Sequence, residues 1–312
     1  MPVLAPRRLR PLGAVAALAT GALLLTACSA PSGDDSAAAQ TEGGTHAVDH
    51  ARGETAVPDD PQRVVVLEPV QLDTSVALGA IPVGTAVLSE ETGVPAYLGD
   101  EAADIEMVGT VTEPSVERIA ALEPDLILGT ESRHSALYDQ LSDVAPTVFM
   151  DTQADPWQDN VALVAEALGD EQGAEDLLAD YEARCTEIAD EYDTAGQTAQ
   201  LVRPRDTRLT LYGPLSFAGS TLECAGFTTP EHDWEDISLD ISPEQAREAE
   251  ADLVLVTTAD VDDPTTMPAS IADNADAFGD LELVDFSFWI TGVGPVGGMT
   301  VLDDLERILQ EG

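Results

Sequence analysis

The chain contains no lysine. All 13 cations among its 312 residues are arginines, set against 59 aspartates and glutamates, which leaves a net charge of −46. Such a field repels phosphate backbones and anionic headgroups, which argues against nucleic acid or anionic lipid as a partner. It reads as a solvated anionic coat, a statement about solubility rather than activity. Cysteine is scarce too: there are three, and neither Cys185 nor Cys224 has a histidine or second cysteine nearby at zinc-ligand spacing. The sequence has no glycine-rich phosphate loop, no serine nucleophile elbow and no His-Glu cluster. A hydrolase built on a pair of carboxylates is the distant enzymatic alternative, because among 59 acidic residues such pairs arise by chance. The apolar run at 12–25 is too short and too rich in Gly and Ala for a membrane span of roughly 20 residues.

What is present begins with a leader. Arg7, Arg8 and Arg10 precede that apolar run, and Leu24-Leu25-Thr26-Ala27 leads directly into Cys28. A basic head, a short apolar stretch and small residues before a cut site make a secretory signal over residues 1–27. A cysteine after Leu-Thr-Ala resembles the bacterial lipobox, whose thiol takes a diacylglycerol. Cys28 is therefore the expected lipidation site and mature N-terminus, anchoring the chain to the outer face of the cytoplasmic membrane. The export route, Sec or Tat, stays open. Removing the leader's three arginines leaves 10 against 59 acids, a mature charge of −49. In an oxidising compartment, Cys185 and Cys224 read either as a disulfide or as two buried thiols.

Residues 28–56 are polar and without apolar periodicity, and are expected to form a disordered tether that includes His46 and His50. Order is expected from residue 57. Short apolar runs at 63–67, 82–87, 105–108, 126–128 and 147–150 read as strands, and helical patterns fall at 71–78, 116–122 and 135–144. Strands alternating with helices imply an α/β lobe with a parallel sheet over 57–152. Residues 157–193 are helical almost throughout, interrupted only near 169–173. The strand–helix pattern then restarts over 198–312, with strands at 200–202, 209–212, 253–256 and 282–286. Helices are expected there at 217–224, 243–249 and 298–309.

Several stretches together carry a resemblance. Arg63-Val64-Val65-Val66-Leu67 is followed by Asp73 and by Leu78-Gly79-Ala80-Ile81-Pro82-Val83-Gly84. Pro114-Ser115-Val116-Glu117-Arg118-Ile119 runs on to Glu123-Pro124-Asp125-Leu126-Ile127-Leu128, and Leu141-Ser142-Asp143-Val144-Ala145-Pro146 follows. Ile241-Ser242-Pro243-Glu244 before Ala251-Asp252-Leu253-Val254 repeats the logic in the second half. Over roughly residues 57–310 the chain resembles the helical-backbone (type III) periplasmic binding proteins. Arg203, Leu211-Tyr212-Gly213 and Ser216-Phe217-Ala218-Gly219 are similar to the ferric-siderophore receptors of Gram-positive bacteria; Pro204 departs from that pattern.

The resemblance implies two Rossmann-like lobes with parallel sheets joined by one long backbone helix. It also implies a binding protein rather than an enzyme, monomeric, with its ligand in the inter-lobe cleft and an ABC permease as its partner. Relatives in the family carry free metals, haem, cobalamin or chelated iron. A free metal needs several converging ligands, and only His134 lies at a suitable loop. Haem needs an axial ligand, which Tyr97, Tyr212 or Met299 could supply. A ferric siderophore needs no protein ligand and no cofactor, only aromatics for its organic shell and arginines for its oxygens. The candidates are Arg133, Arg203, Arg205, Tyr212 and Trp289, with at least one of Arg203 and Arg205 expected to be structural. Arg133 could instead pair with Glu131 or Asp139, and Arg208 is expected outside the cleft. Trp157 is expected to pack at the start of the backbone helix. Trp289, between Ser287 and Thr291-Gly292, is expected on a partly exposed loop. The negative field favours a neutral or cationic hydroxamate complex over an anionic catecholate. Glu117 and Glu244, near the starts of short helices in the two halves, match the family's permease-docking glutamates. Ser242 and Gln245 form a capping-box pattern around Pro243.

Overall fold

The computed structural model describes residues 44–153 and 156–311, so the leader, Cys28 and the first part of the expected tether lie outside the described residues. Within them the tether expectation needs correction. β1 (Thr45–His50) and β2 (Gly53–Pro58) pair as an antiparallel hairpin. Val48 and Val57 are fully buried in the core of the first lobe, and β1 and β2 both pack on β8 (Thr147–Met150). His50 joins the lobe by accepting the Phe149 N–H, and His46 holds the Glu166 carbonyl at 2.7 Å.

The first sheet consists of β3 (Val64–Val66), β4 (Gly84–Val87), β5 (Glu106–Thr110), β6 (Glu113–Pro114), β7 (Leu126–Thr130) and β8. Their spatial order is β6-β5-β4-β3-β7-β8, parallel except for the β5–β6 edge. The continuous apolar runs reflect burial on both faces. Val64, Val66, Leu126 and Leu128 enter one core, while Val65, Leu67, Ile127 and Phe149 enter the other. Helix α1 (Pro69–Ala77) follows β3, α2 (Val116–Ala121) precedes β7, and α3 (Glu131–His134) and α4 (Tyr138–Ser142) precede β8.

The expected backbone helix is two helices. α5 (Trp157–Leu168) ends at Gly169, which has φ +75°, a left-handed conformation that glycine adopts without strain. α6 (Glu171–Tyr192) restarts with the Asp170 side chain capping the Gly173 N–H. A disulfide ties α6 to α7 (Phe217–Cys224) through Cys185 and Cys224, with Cα atoms 5.4 Å apart.

The second sheet is mixed rather than parallel. It orders β9 (Ala199–Arg205), β10 (Arg208–Tyr212), β11 (Ser238–Ile241), β12 (Leu253–Thr258) and β13 (Asp280–Asp285) as β11-β10-β9-β12-β13. β9, β12 and β13 run parallel, while β10 and β11 are antiparallel. The two-residue connection between β9 and β10 forces this, since a parallel return needs a crossover. Pro204 fits because β12 pairs with β9 only as far as Val202, leaving an edge that needs no N–H donor. Residues 243–249 form a 3₁₀ helix, with the Ser242–Gln245 capping box in place. Short α8 (Ala269–Ala272) and α9 (Phe286–Trp289) precede the closing helix α10 (Pro295–Glu311), which starts three residues earlier than its apolar pattern suggests. α10 packs on α1 and on α6, and α1 also packs on α5. One core then runs from Val70 and Met150 of the first lobe through α5, α6 and α10 to Leu201, Leu253 and Leu255 of the second.

Candidate ligand-binding cleft

In the first sheet the chain runs outward from β3 through β4 to β5, then returns to β7 on the other side. Ligands of open α/β sheets bind beyond the strand ends at such a reversal. Glu68 follows β3 and Arg133 follows β7 at this point. Glu68 is the N-cap of α1, with Pro69 at the first helical position. Gln71 fixes the turn: its Oε1 accepts the backbone N–H of Leu67 and of Glu68, and its amide donates to the Gly129 carbonyl at 2.8 Å. The Glu68 side chain is 1% exposed and accepts from Arg133 Nη1 at 2.6 Å. Burial pushes the Glu68 carboxyl up to about 7, and Arg133 opposes that rise.

Arg133 therefore pairs with Glu68 rather than with Glu131 or Asp139. Glu131 is taken by Arg52, at 2.5 Å. His134 accepts the Thr130 N–H through Nδ1 and donates Nε2–H to the Val111 carbonyl, so both ring nitrogens are engaged. Burial lowers its pKa. Among the described residues no three His, Cys, Asp or Glu side chains converge as a metal site.

Glu68 and Arg133 line a cavity of about 350 Å³ whose other walls come from the second half of the chain. Arg203, Tyr212, Phe217, Trp289, Ile290 and Val293 line it, with Trp157 at the start of α5. Arg203 lies 4.5 Å from the Phe286 ring centroid, within reach of the Tyr212 hydroxyl at 3.5 Å. Among the described residues it has no carboxylate at ion-pair distance, in a chain of 59 acids. A half-buried cation left unpaired in such a chain is available to a ligand. A second hollow of about 470 Å³ adjoins the first and shares Pro69, Leu88 and Arg203 with it. Leu88 from the first lobe and Leu215 from the second line the cavity although they are 45% and 68% exposed.

Two expectations change here. Arg205 is not among the lining residues; it is exposed and donates to Thr210 on β10 at 2.9 Å. Arg208 pairs with Asp240 at 3.0 Å. Trp289 lies on a one-turn helix rather than an exposed loop. Its ring is fully buried in the shared core, and its indole N–H donates to Asp304 of α10 at 2.8 Å. It forms part of the cavity floor without being open to water. Trp157 packs edge-on against Tyr181 and Phe217, at 5.0 and 5.6 Å, and its indole N–H is buried without a partner. Of the haem-ligand candidates, Tyr212 lines the first cavity, Tyr97 lines the adjoining hollow with its hydroxyl given to Asp73, and Met299 lies on α10. Glu68, Trp157, Phe217 and Phe286 were not singled out for the cleft from sequence; the Leu67-Glu68-Pro69 step, a charge directly after a buried strand, was the available signal.

Residues 64–282 match the family described as "Periplasmic binding protein". The chain belongs to that family. Members bind solutes and are not enzymes. The "Probable siderophore-binding lipoprotein YfiY" of Bacillus subtilis is 31% identical over 91% of this chain and 93% of its own length. The "Fe(3+)-citrate-binding protein YfmC" of the same organism is 27% identical over 75% of each chain. Among solved structures, Staphylococcus aureus SirA complexed with staphyloferrin B superposes with a TM-score of 0.75 at 27% identity, covering 85% of this chain and 99% of that one. The family fold is thus two α/β lobes around a helical backbone, with the cavity between them.

Proposed function

We propose that this protein captures a ferric siderophore in the cavity between its lobes and delivers it to an ABC permease. The observation that carries the reading is Arg203: among the described residues a cation without an acidic partner, stacked on Phe286 and facing an apolar cavity with Arg133 and Tyr212. Iron in a chelate brings its own ligands, so the site supplies apolar walls for the organic shell and guanidinium donors for its oxygens. Relatives named for siderophore and ferric-citrate binding support the class of ligand. Of the arginines proposed from sequence, Arg133 and Arg203 are the binding residues, with Tyr212 beside them; Arg205 lies outside. The mature charge of −49 favours a hydroxamate complex, neutral or cationic, over an anionic catecholate.

Glu117 and Glu244 are proposed as the permease contacts. Each is exposed, and each carboxylate is held by a serine two residues earlier. The Ser115 hydroxyl donates to Glu117 at 3.2 Å. Glu244's own backbone N–H and the Ser242 hydroxyl lower its pKa, keeping it charged for an arginine pocket on the partner. Lipidation at Cys28, an extracytoplasmic location and a monomeric state complete the proposal.

The test is a titration of the purified mature protein with ferrioxamine, ferrichrome, a ferric catecholate, haem and cobalamin, read by quenching of Trp157 and Trp289. Saturable quenching by a ferric hydroxamate, without turnover, is the expected result. Binding of haem or cobalamin alone would overturn the siderophore reading. Tyr212 in the cavity wall makes haem the second candidate.

A further inference from the structure

The cavity holds two arginines, but they are not equivalent. Among the described residues Arg203 has no carboxylate at ion-pair distance, whereas Arg133 spends Nη1 on Glu68. Glu68 is a buried acid in the wall of a binding cavity. Its Oε1 is also buried and lacks a hydrogen bond of good geometry, with the Thr130 hydroxyl beside it. An ion pair in which one carboxylate oxygen goes unsatisfied is a weak contribution to stability, because desolvation offsets much of the attraction. Its placement, at the strand reversal where Gln71 bridges the Glu68 backbone N–H to the Gly129 carbonyl of β7, points instead to ligand selection.

Resting on the siderophore reading, we propose that Glu68 sets the charge of the chelate this cavity accepts: ionised, it occupies Arg133 and disfavours anions, and an anionic ligand binds with uptake of one proton on Glu68. With Glu68 ionised, the charged lining groups, Glu68, Arg133 and Arg203, sum to one positive charge; with Glu68 protonated they sum to two. The groups facing Glu68 are few. Arg133 of α3 and Thr130 of β7 touch it, Gln71 of α1 is neutral, and Arg203 and Tyr212 line the cavity from the second lobe. Among the described residues no second carboxylate and no imidazole lines the cavity, and burial lowers the pKa of His134 beyond Arg133. An anion placed on Arg133 adds a like charge beside the Glu68 carboxylate and competes for its partner. Both effects favour the protonated acid, and because burial already holds the group up to about 7, the proton is available near neutrality. A neutral chelate adds no charge and leaves Glu68 as it was.

The experiment uses ferrioxamine B derivatives that share one iron core: the N-acetyl form is neutral and the N-succinyl form carries a carboxylate. Calorimetry on the mature protein at pH 6 and pH 8, in buffers of different ionisation enthalpy, reads affinity and protons together. For the succinyl probe, Kd should weaken by about tenfold from pH 6 to pH 8, within the one-proton limit of tenfold per pH unit. Its binding at pH 8 should take up close to one proton, while the acetyl probe should show neither effect. Glu68→Gln keeps the shape and removes the charge; the succinyl probe should then bind about tenfold more tightly at pH 8, with no proton uptake. Absence of proton uptake by the wild-type protein, or the same pH profile in Glu68→Gln, overturns the proposal. Should the variant fold poorly, the wild-type buffer series decides alone. If the acetyl probe binds and the succinyl probe shows no linkage, only this proposal falls. If neither probe binds at either pH, the hydroxamate reading falls and takes this inference with it.

Discussion

The carboxylate of Asp73 accepts the backbone N–H of Gly297 at 2.8 Å, joining residues 224 positions apart in sequence. Its other oxygen accepts from Val296 N–H at 2.8 Å, and Tyr97 O–H donates at 3.0 Å. A fully buried acid of α1 thus holds the first turn of α10, where the helix dipole favours a negative charge. The backbone there leaves no alternative arrangement: Gly294 sits at φ +143°, and a Cβ at that position would stand 2.4 Å from Asp73 Oδ1. Asp73→Asn places an amide donor against one of these N–H groups. It should lower stability by about 1–3 kcal/mol, the cost of an unsatisfied buried donor. Denaturant melts of mutant and wild type at one pH measure it; an unchanged midpoint contradicts the latch.

Stability should fall as pH rises from 5 to 8. Burial holds both Asp73 and Glu68 up to about 7, above their ordinary values. An acid raised on folding contributes stability below its unfolded value near 4, and that contribution is lost as pH rises through the folded value. Glu244, Asp252 and Asp263 are shifted downward and act with the opposite sign below the usual carboxylate range, while His50 and His134, lowered by burial from 6.5, offset part of the fall up to that pH. Thermal melts at pH 5, 6, 7 and 8 should therefore show a falling midpoint, with a shallower slope in Asp73→Asn. A midpoint that climbs toward pH 8 would mean that the donors around Asp73 outweigh its burial.

Arg203→Gln should weaken ferric-siderophore binding by roughly 10- to 150-fold, the value of a charge-assisted hydrogen bond of about 1.5–3 kcal/mol. Its melting temperature should barely move, since it loses one stacking contact with Phe286. Arg205→Gln should bind as wild type, because Arg205 is exposed, lies outside the cavity lining and donates to Thr210. Equal losses in the two variants would place the ligand over the strand end rather than in the cavity.

Glu117→Ala and Glu244→Ala should leave the dissociation constant unchanged and reduce iron uptake by cells, most in the double variant. Loss of affinity would place these carboxylates at the ligand. Labelled palmitate should enter the wild-type protein and be absent from Cys28→Ala.

Replacing Cys185 and Cys224 by alanine opens a loop whose ends are 39 residues apart, and should lower stability by about 4 kcal/mol on the chain-entropy view. Comparing melts of the double variant with melts of the oxidised protein gives the difference directly.

Local patterns in the chain were legible where one physical demand dominated. β3, β7 and β12 could be read as buried strands because they are continuous apolar runs flanked by turns. The break at Gly169 and the Ser242–Gln245 box are local signals with local causes. The β1–β2 hairpin was not legible, since only Val48 and Val57 are buried in an otherwise polar stretch and the hairpin exists by docking on β8. Trp289 misled because its neighbours are turn formers, while its burial comes from α10, which follows it. The Glu68–Arg133 pair joins residues 65 apart, and no sequence pattern distinguishes that glutamate from the other acids. Arg203 and Arg205 share a strand face by alternation and both lie past Val202, the last β9 residue paired with β12, so no strand pattern separates their fates.

The exposed leucines at the cavity mouth have a consequence for the unloaded protein. Leu88 and Leu215 are large apolar side chains left open at the cavity, one from each lobe, within a surface crowded with carboxylates. Water bears the cost of wetting both until a chelate's organic shell covers them. The empty form is accordingly the more adhesive one. Cargo acts for this protein as a solubiliser as well as a load, and protein stripped of iron should be the first to self-associate when concentrated.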